Sequence, residues 1–185
     1  MLKRSFDLAA SLCGLIILAL PMLLIALAVR LDSPGPALYW SDRIGADETI
    51  FRMPKFRTMK VGTPQLATHL LADAGDRLTR LGRFLRATSL DELPQLLSVM
   101  RGQMSLVGPR PALFNQDDLI ALRREAGVSS LRPGVTGWAQ VNGRDELPIP
   151  AKVAFDREYA ARQSLLFDLR IIFMTVLRGS QGVAH

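Results

Sequence analysis

One stretch of this chain constrains its fold more than any other. Leu12 to Val29, LCGLIILALPMLLIALAV, runs for about 18 residues without a charged side chain, the lower limit for crossing the hydrocarbon core of a bilayer. Lys3 and Arg4 precede it and Arg30 follows it. Three readings compete. A cleaved signal peptide needs an A-x-A-like site after a short apolar region, whereas this segment runs into Ala28-Val29-Arg30-Leu31, which weighs against that reading. A spanning helix places basic residues on opposite faces of the membrane, against the positive-inside tendency. A helix that enters the membrane and turns back keeps Lys3, Arg4 and Arg30 on one face. Pro21 stands near the middle, where its missing N–H and its ring favour a bend, but a spanning helix also tolerates such a kink. The residues alone leave the spanning and re-entrant readings balanced.

The rest of the chain is basic as well as apolar. Its 185 residues are 49% hydrophobic with a formal net charge of +6, and mean hydropathy is +0.18. Apolar content and charge normally trade against each other in a soluble domain, so contact with lipid is expected. This apolar content excludes wholesale disorder. With 6% aromatic residues there is no base-stacking platform, and no zinc or helix-turn-helix pattern is present, so no nucleic-acid partner is expected. A single cysteine, Cys13, excludes an intrachain disulfide and, with two histidines, a Cys/His zinc set. The length suits one domain.

Pro34-Gly35-Pro36 marks a turn out of the apolar segment. The short apolar runs between Ala37 and Met59, divided by the charged stretch Asp42 to Glu48, predict a β-hairpin. From Asp76 to Ala87, Leu78, Leu81 and Leu85 recur at helical spacing with Arg77, Arg80, Arg83 and Arg86 between them, which predicts one amphipathic helix with a basic flank. Helices are expected over Pro94 to Met100, ending near Gly102, and over Gln116 to Ala126, ending at Gly127. The prolines of Ser105 to Pro111 fix an extended turn, and Leu131 to Arg144 reads as an irregular glycine-rich loop. Ala151 to Gln163 reads as a polar helix. Leu165 to Leu177 is apolar but too short to span, which fits a buried or interfacial helix. The fold class is therefore α-dominated α+β with a short β-hairpin.

The densest chemistry lies in Thr88-Ser89-Leu90-Asp91-Glu92-Leu93-Pro94-Gln95-Leu96. Ser89 followed by Glu92 fits a capping box, with both acids complementing a helix dipole. The other reading is catalytic. Adjacent carboxylates on a helix point apart, so one can attack a substrate while the other holds a metal. Arg86 lies just upstream, and Lys55, Arg57 and Arg110 sit in tight motifs of their own. Carboxylate, metal and several cations are the parts needed for phosphoryl transfer. No Walker, dinucleotide-binding, hydrolase-elbow or zincin motif is present.

Four motifs in order then carry a resemblance: Lys55-Phe56-Arg57-Thr58-Met59; Ser89 to Leu96; Met104-Ser105-Leu106-Val107-Gly108-Pro109-Arg110-Pro111; and Arg132-Pro133-Gly134-Val135-Thr136-Gly137-Trp138-Ala139-Gln140-Val141-Asn142-Gly143-Arg144. Together they resemble the small monotopic phosphoglycosyl transferases, or bacterial sugar transferases, over nearly the whole chain. The resemblance implies transfer of a phosphosugar from a UDP-sugar to undecaprenyl phosphate, with Asp91 as nucleophile, release of UMP, and Glu92 helping to bind Mg2+. It implies phosphate-neutralising roles for Lys55, Arg86 and Arg110. Asp156 and Asp168 also fall in family-like contexts, although the residues alone read as structural, Asp168 as an ion-pair partner. The resemblance further implies a re-entrant membrane helix over 1–31, bent at Pro21, and a catalytic domain over 32–185 at the cytoplasmic face of the bacterial inner membrane. Amphipathic helices would seat this domain on anionic lipids. One departure stands out: Leu20, not serine, precedes Pro21. A non-catalytic membrane-surface adaptor is the competing class, and the sequence identifies neither the sugar nor an oligomeric state.

Overall fold

The computed structural model describes residues 2–66, 73–143 and 147–179. The apolar segment folds as two helices, α1 (Leu2–Ile17) and α2 (Ala19–Asp32), bent by 62° where they meet at Leu18. Among the described residues no single helix is long and apolar enough to cross a membrane, but the bent pair together passes that test. The bend expected from Pro21 is present and is centred at Leu18, in the turn before the proline. A proline ring clashes with the carbonyl four residues before it, which for Pro21 is Ile17, the last residue of α1. Pro21 itself sits in the first turn of α2, where its missing N–H costs nothing.

Both limbs of this helical pair are fastened to the same body. On α1, Arg4 donates to the carbonyls of Val99 (2.8 Å) and Met100 (3.2 Å), and Asp7 accepts from Ser105 Oγ (2.8 Å) and the Leu106 N–H (3.2 Å). At the far end of α2, the buried Arg57 donates to the carbonyls of Val29, Ser33, Pro34 and Pro36, the last at 2.7 Å. The end carbonyls of a helix have no partner within it, and this guanidinium supplies one. Arg57 therefore caps α2 and is not a cation of the cleft. Leu20 offers no hydroxyl at the bend, so these outer fastenings hold the two limbs in place.

The expected hairpin is present as β1 (Leu38–Ile44) and β2 (Ile50–Phe56), antiparallel, with Leu38 opposite Phe56 and Ile44 opposite Ile50. The basic helix is broken, contrary to expectation, into one turn, α3 (Ala74–Arg77), and α4 (Arg80–Ala87). The chain is extended at Leu78, which bridges to Met59, and Thr79 donates its N–H to the Thr58 carbonyl and caps Gly82 through its hydroxyl. Strand-like pairing and a competing N-cap override the helical spacing of the leucines.

A 3-10 turn over Leu90–Gln95 leads into α5 (Leu96–Met100), which stops at Gly102 (φ +82) as expected. The segment Leu131 to Arg144, expected to be irregular, contains β4 (Gly134–Thr136) and a single turn α7 (Trp138–Val141). β4 pairs in parallel with β3 (Ser105–Val107). Three-residue strands leave no readable alternation, which is why the sequence missed them. The glycines have a purpose here. A Cβ on Gly134 would lie 2.1 Å from the Gly108 nitrogen, and one on Gly137 would lie 2.1 Å from the Gly108 carbonyl oxygen, so this close backbone approach admits no side chain. α6 (Asp117–Glu125), α8 (Ile149–Arg162) and α9 (Leu165–Gly179) complete the body. Val107, Val141, Tyr159, Phe167 and Ile171 form one core cluster. Phe51, Met53, Val99 and Met104 form a second, under the hairpin.

Candidate active site

Strand alternation aims the hairpin at the acidic turn. Arg43 pairs with Phe51, Ser41 with Met53 and Tyr39 with Lys55, so all six share one face. Phe51 and Met53 on that face are core residues, and a lysine at the end of such a row is held at the edge of the core. Lys55 Nζ meets Glu92 Oε1 at 2.7 Å. Arg110, from the turn after β3, reaches the same oxygen at 3.5 Å.

The capping box does not form. Ser89 is left-handed (φ 57) and its side chain makes no cap hydrogen bond, so Glu92 is turned to the two cations instead of the helix end. Asp91, one residue earlier, is 7% exposed. Arg86 sits at the end of α4, donates to Thr58 Oγ1 at 3.0 Å, and its charge reaches Asp91.

The two carboxylates are pushed apart in acidity. Burial opposes ionisation of Glu92, but the charges of Lys55 and Arg110 overcome it and hold the carboxyl down at about 2. Burial dominates at Asp91 and, with the neighbouring Glu92 charge, raises its pKa against the pull of Lys55, Arg86 and Arg110. Burial also lowers the pKa of Lys55, against the pull of Glu92. Pairing wins on Glu92 and desolvation wins on Lys55, so the ion pair stabilises the fold by less than the Glu92 shift alone suggests. The result is one carboxylate fixed as an anion beside another made more basic, and hence more nucleophilic once ionised.

Arg43, Met53, Lys55, Glu92, Gln95, Arg110, Pro111 and Gly134 line a cleft. A roomier, mainly apolar hollow lies between Ile44, Ile120, Val128 and Leu131, but the smaller cleft is the one where Lys55 and Arg110 meet on Glu92, next in sequence to Asp91, and it is the one equipped for phosphoryl chemistry. Sequence reasoning missed Arg43 and Gln95. The signal for Arg43 was its place opposite Phe51, readable only once the hairpin register is known. Arg144 lies outside the described residues.

Asp156 and Asp168 lie away from the carboxylate pair. Asp156 is buried against Arg123, whose Nε and Nη2 reach its Oδ2 at 2.9 and 2.8 Å. Asp168 is 1% exposed, pairs with Lys3 at 2.6 Å and accepts from the Tyr159 hydroxyl at 2.8 Å. Lys3 and Tyr159 also reach the Val107 carbonyl, at 3.1 and 3.0 Å.

Among the described residues no three His, Cys, Asp or Glu side chains gather into a metal cage. Mg2+ seldom needs one, since it is usually held by one or two carboxylates with substrate phosphates and water completing its shell. Glu92, ionised and with both cation contacts on Oε1, fits such a partial site with Asp91 beside it.

The chain belongs to the bacterial sugar transferase family, whose family model matches residues 1–182. It is 41% identical over 191 residues to the undecaprenyl-phosphate glucose phosphotransferase of Komagataeibacter xylinus, covering 95% of this chain and 35% of that protein. It is 44% identical over 184 residues to the UDP-glucose:undecaprenyl-phosphate glucose-1-phosphate transferase of Caulobacter vibrioides, covering 94% and 68%. With the exopolysaccharide production protein PSS of Rhizobium leguminosarum it shares 39% identity over 95% of this chain and 94% of that one. The chain thus spans well under half the length of the Komagataeibacter protein and of the Escherichia coli relative, of which it covers 40%.

Proposed function

We propose that this protein transfers a sugar 1-phosphate from a UDP-sugar to undecaprenyl phosphate through a covalent intermediate on Asp91. The observation that carries the reading is the cleft in which Lys55 and Arg110 converge on Glu92 beside a buried, more basic Asp91. An Asp91 carboxylate oxygen attacks the sugar-proximal phosphorus, forming a P–O bond. The bond from that phosphorus to the bridging oxygen breaks, and UMP departs with the electron pair. A phosphate oxygen of undecaprenyl phosphate then attacks the same phosphorus and regenerates the Asp91 carboxylate. Lys55, Arg86 and Arg110 offset the charge that would repel an anionic nucleophile from an anionic phosphate. Glu92, with Asp91 adjacent, would hold Mg2+, which supplies further neutralisation of the diphosphate when bound. The names of the relatives and the family membership support this choice of donor and acceptor.

The test is direct. Incubation with UDP-glucose and Mg2+ without acceptor should release UMP in at most stoichiometric amount and leave labelled phosphosugar on the protein in a base-labile bond. No release with any of a panel of UDP-sugars would instead favour a lipid-binding adaptor. Release that requires both substrates bound together would remove the covalent step.

The same reading places the chain at the cytoplasmic face of the inner membrane, with residues 1–31 as a re-entrant segment. Its support is that residues on both limbs, Arg4 and Asp7 before the bend and Ser33 after it, bond to the same body. Two amphipathic helices flank the exits. α4 exposes Arg80, Arg83 and Phe84, and its Leu81 N–H donates to Asp32 at the end of α2. α9 exposes Leu166, Leu169, Phe173 and Val176 and begins beside Lys3. These faces suit an anionic lipid surface. With Cys13→Ser as background, Leu2→Cys and Leu31→Cys should both react with an impermeant maleimide from the cytoplasmic side of sealed vesicles. Labelling of the two from opposite sides would establish a spanning helix instead.

A further inference from the structure

We propose that Arg43 and Arg123 brace the Pro109-Arg110-Pro111 turn from two sides and are positioning residues for Arg110; this rests on the phosphate-binding role proposed above. The Arg110 side chain is 37% exposed and its contact with Glu92 is long, at 3.5 Å. Where a side chain is aimed follows from the backbone that carries it, here the Pro109-Arg110-Pro111 turn. That backbone lacks two of its own donors, because neither proline has an N–H. It is instead gripped through consecutive carbonyls. The Gly134 N–H donates to Pro109 O at 2.9 Å. Arg123 Nη1 donates to Arg110 O at 2.9 Å. Arg43 Nη1 donates to Pro111 O at 3.0 Å, and the Ile44 N–H donates to Ala112 O at 3.0 Å.

Each bracing arginine is itself held. Arg43 Nε donates to the buried Ser41 hydroxyl at 2.9 Å. Arg123 is held through Nε and Nη2 by the 2%-exposed Asp156. A guanidinium can serve an anchor and a carbonyl at once because its donors lie in a rigid planar fork, which the point charge of lysine cannot reproduce. Asp156 therefore acts on the cleft through Arg123 and the Arg110 carbonyl, without touching substrate. A turn fixed in this way keeps Arg110 over Glu92 before the donor arrives. Displacing a substrate-positioning group by about 1 Å can cost as much as about 100-fold.

The test is a double-mutant cycle on the full chain in detergent or bilayer discs, reading UMP release with UDP-glucose and undecaprenyl phosphate. Arg43→Lys and Arg123→Lys each keep the charge and lose the fork, and each should lower kcat/KM by roughly tenfold, mainly through KM for UDP-glucose. Asp156→Asn should reproduce Arg123→Lys. In an Arg110→Ala background the same changes should cost little more, because the group they position is gone. Arg124→Gln, next to Arg123 but paired with Glu48 at the surface, should behave as wild type. Full additivity in the Arg110→Ala background, or wild-type kinetics for both Arg43→Lys and Asp156→Asn, overturns the brace while leaving the proposed function standing. Wild-type kcat/KM for Arg110→Ala alone overturns the phosphate-binding reading and the brace with it.

Discussion

Asp91→Asn should abolish phosphosugar transfer while leaving the protein folded. The amide has the shape of the carboxylate but cannot form an acyl phosphate, and loss of a covalent nucleophile typically costs on the order of 10⁴ or more in kcat. Stability should move the other way. The folded-state pKa of Asp91 is raised by burial above its ordinary value of 3.8, so ionising it destabilises the fold progressively as pH rises above that value. Asparagine removes that cost, and the unfolding midpoint at neutral pH should equal or exceed that of the wild type. The same shift predicts the acid limb of the wild-type pH profile. In the proposed scheme the first step needs the Asp91 carboxylate, so single-turnover UMP release should decline below a pKa higher than 3.8. Glu92, held at about 2, stays ionised through that range and contributes nothing to the limb. Full turnover by Asp91→Asn would end the covalent scheme.

Lys3→Met should produce the largest loss of stability. Asp168 is 1% exposed, and without Lys3 its charge would retain the Tyr159 hydroxyl but, among the described residues, no cation in direct contact. Breaking a buried pair from one side costs about 3 to 5 kcal/mol, because the remaining charge is stranded. Removing both charges strands neither, so Lys3→Met with Asp168→Leu should recover most of the loss. Urea unfolding in a mild detergent measures both variants. If Lys3→Met unfolds with the wild type, or if the double change is no better than the single one, the pair does not fasten α1 to the body.

The sequence made the elements with strong periodicity legible, and its motifs named residues that the fold brings together in the candidate site. The hairpin, the polar and apolar carboxy-terminal helices and the glycine stops after α5 and α6 all stand where spacing and turn chemistry put them. The break before α4 was hidden because leucines at helical spacing cannot report that Thr58 and Thr79 pair as strands do. The β3 and β4 pairing was hidden because three residues are too few to alternate, although the glycines that permit it were in plain view. Lys55, Asp91, Glu92 and Arg110 were identifiable by residue type and motif. Arg43 was not, since its place in the cleft follows from the hairpin register and not from its neighbours in sequence. Asp168 read as an ion-pair partner and is one, but which partners Asp156 and Asp168 take was unreadable, because Arg123 and Lys3 lie 33 and 165 residues away.

The carbonyls gathered by Arg57 bear on what counts as a part of this molecule. Location divides the chain near residue 31, with apolar helices on one side and the cleft on the other. Cohesion does not follow that line, because one guanidinium just after β2 closes the end of α2 and Asp7 on α1 receives the start of β3. A cooperative unit is defined by bonds that break together, and here such bonds cross from the greasy helices into the strands that carry Lys55 and lead to Arg110. Exchanging the apolar pair for another hydrophobic hairpin would replace a wall of the body that carries the cleft, not a detachable tether.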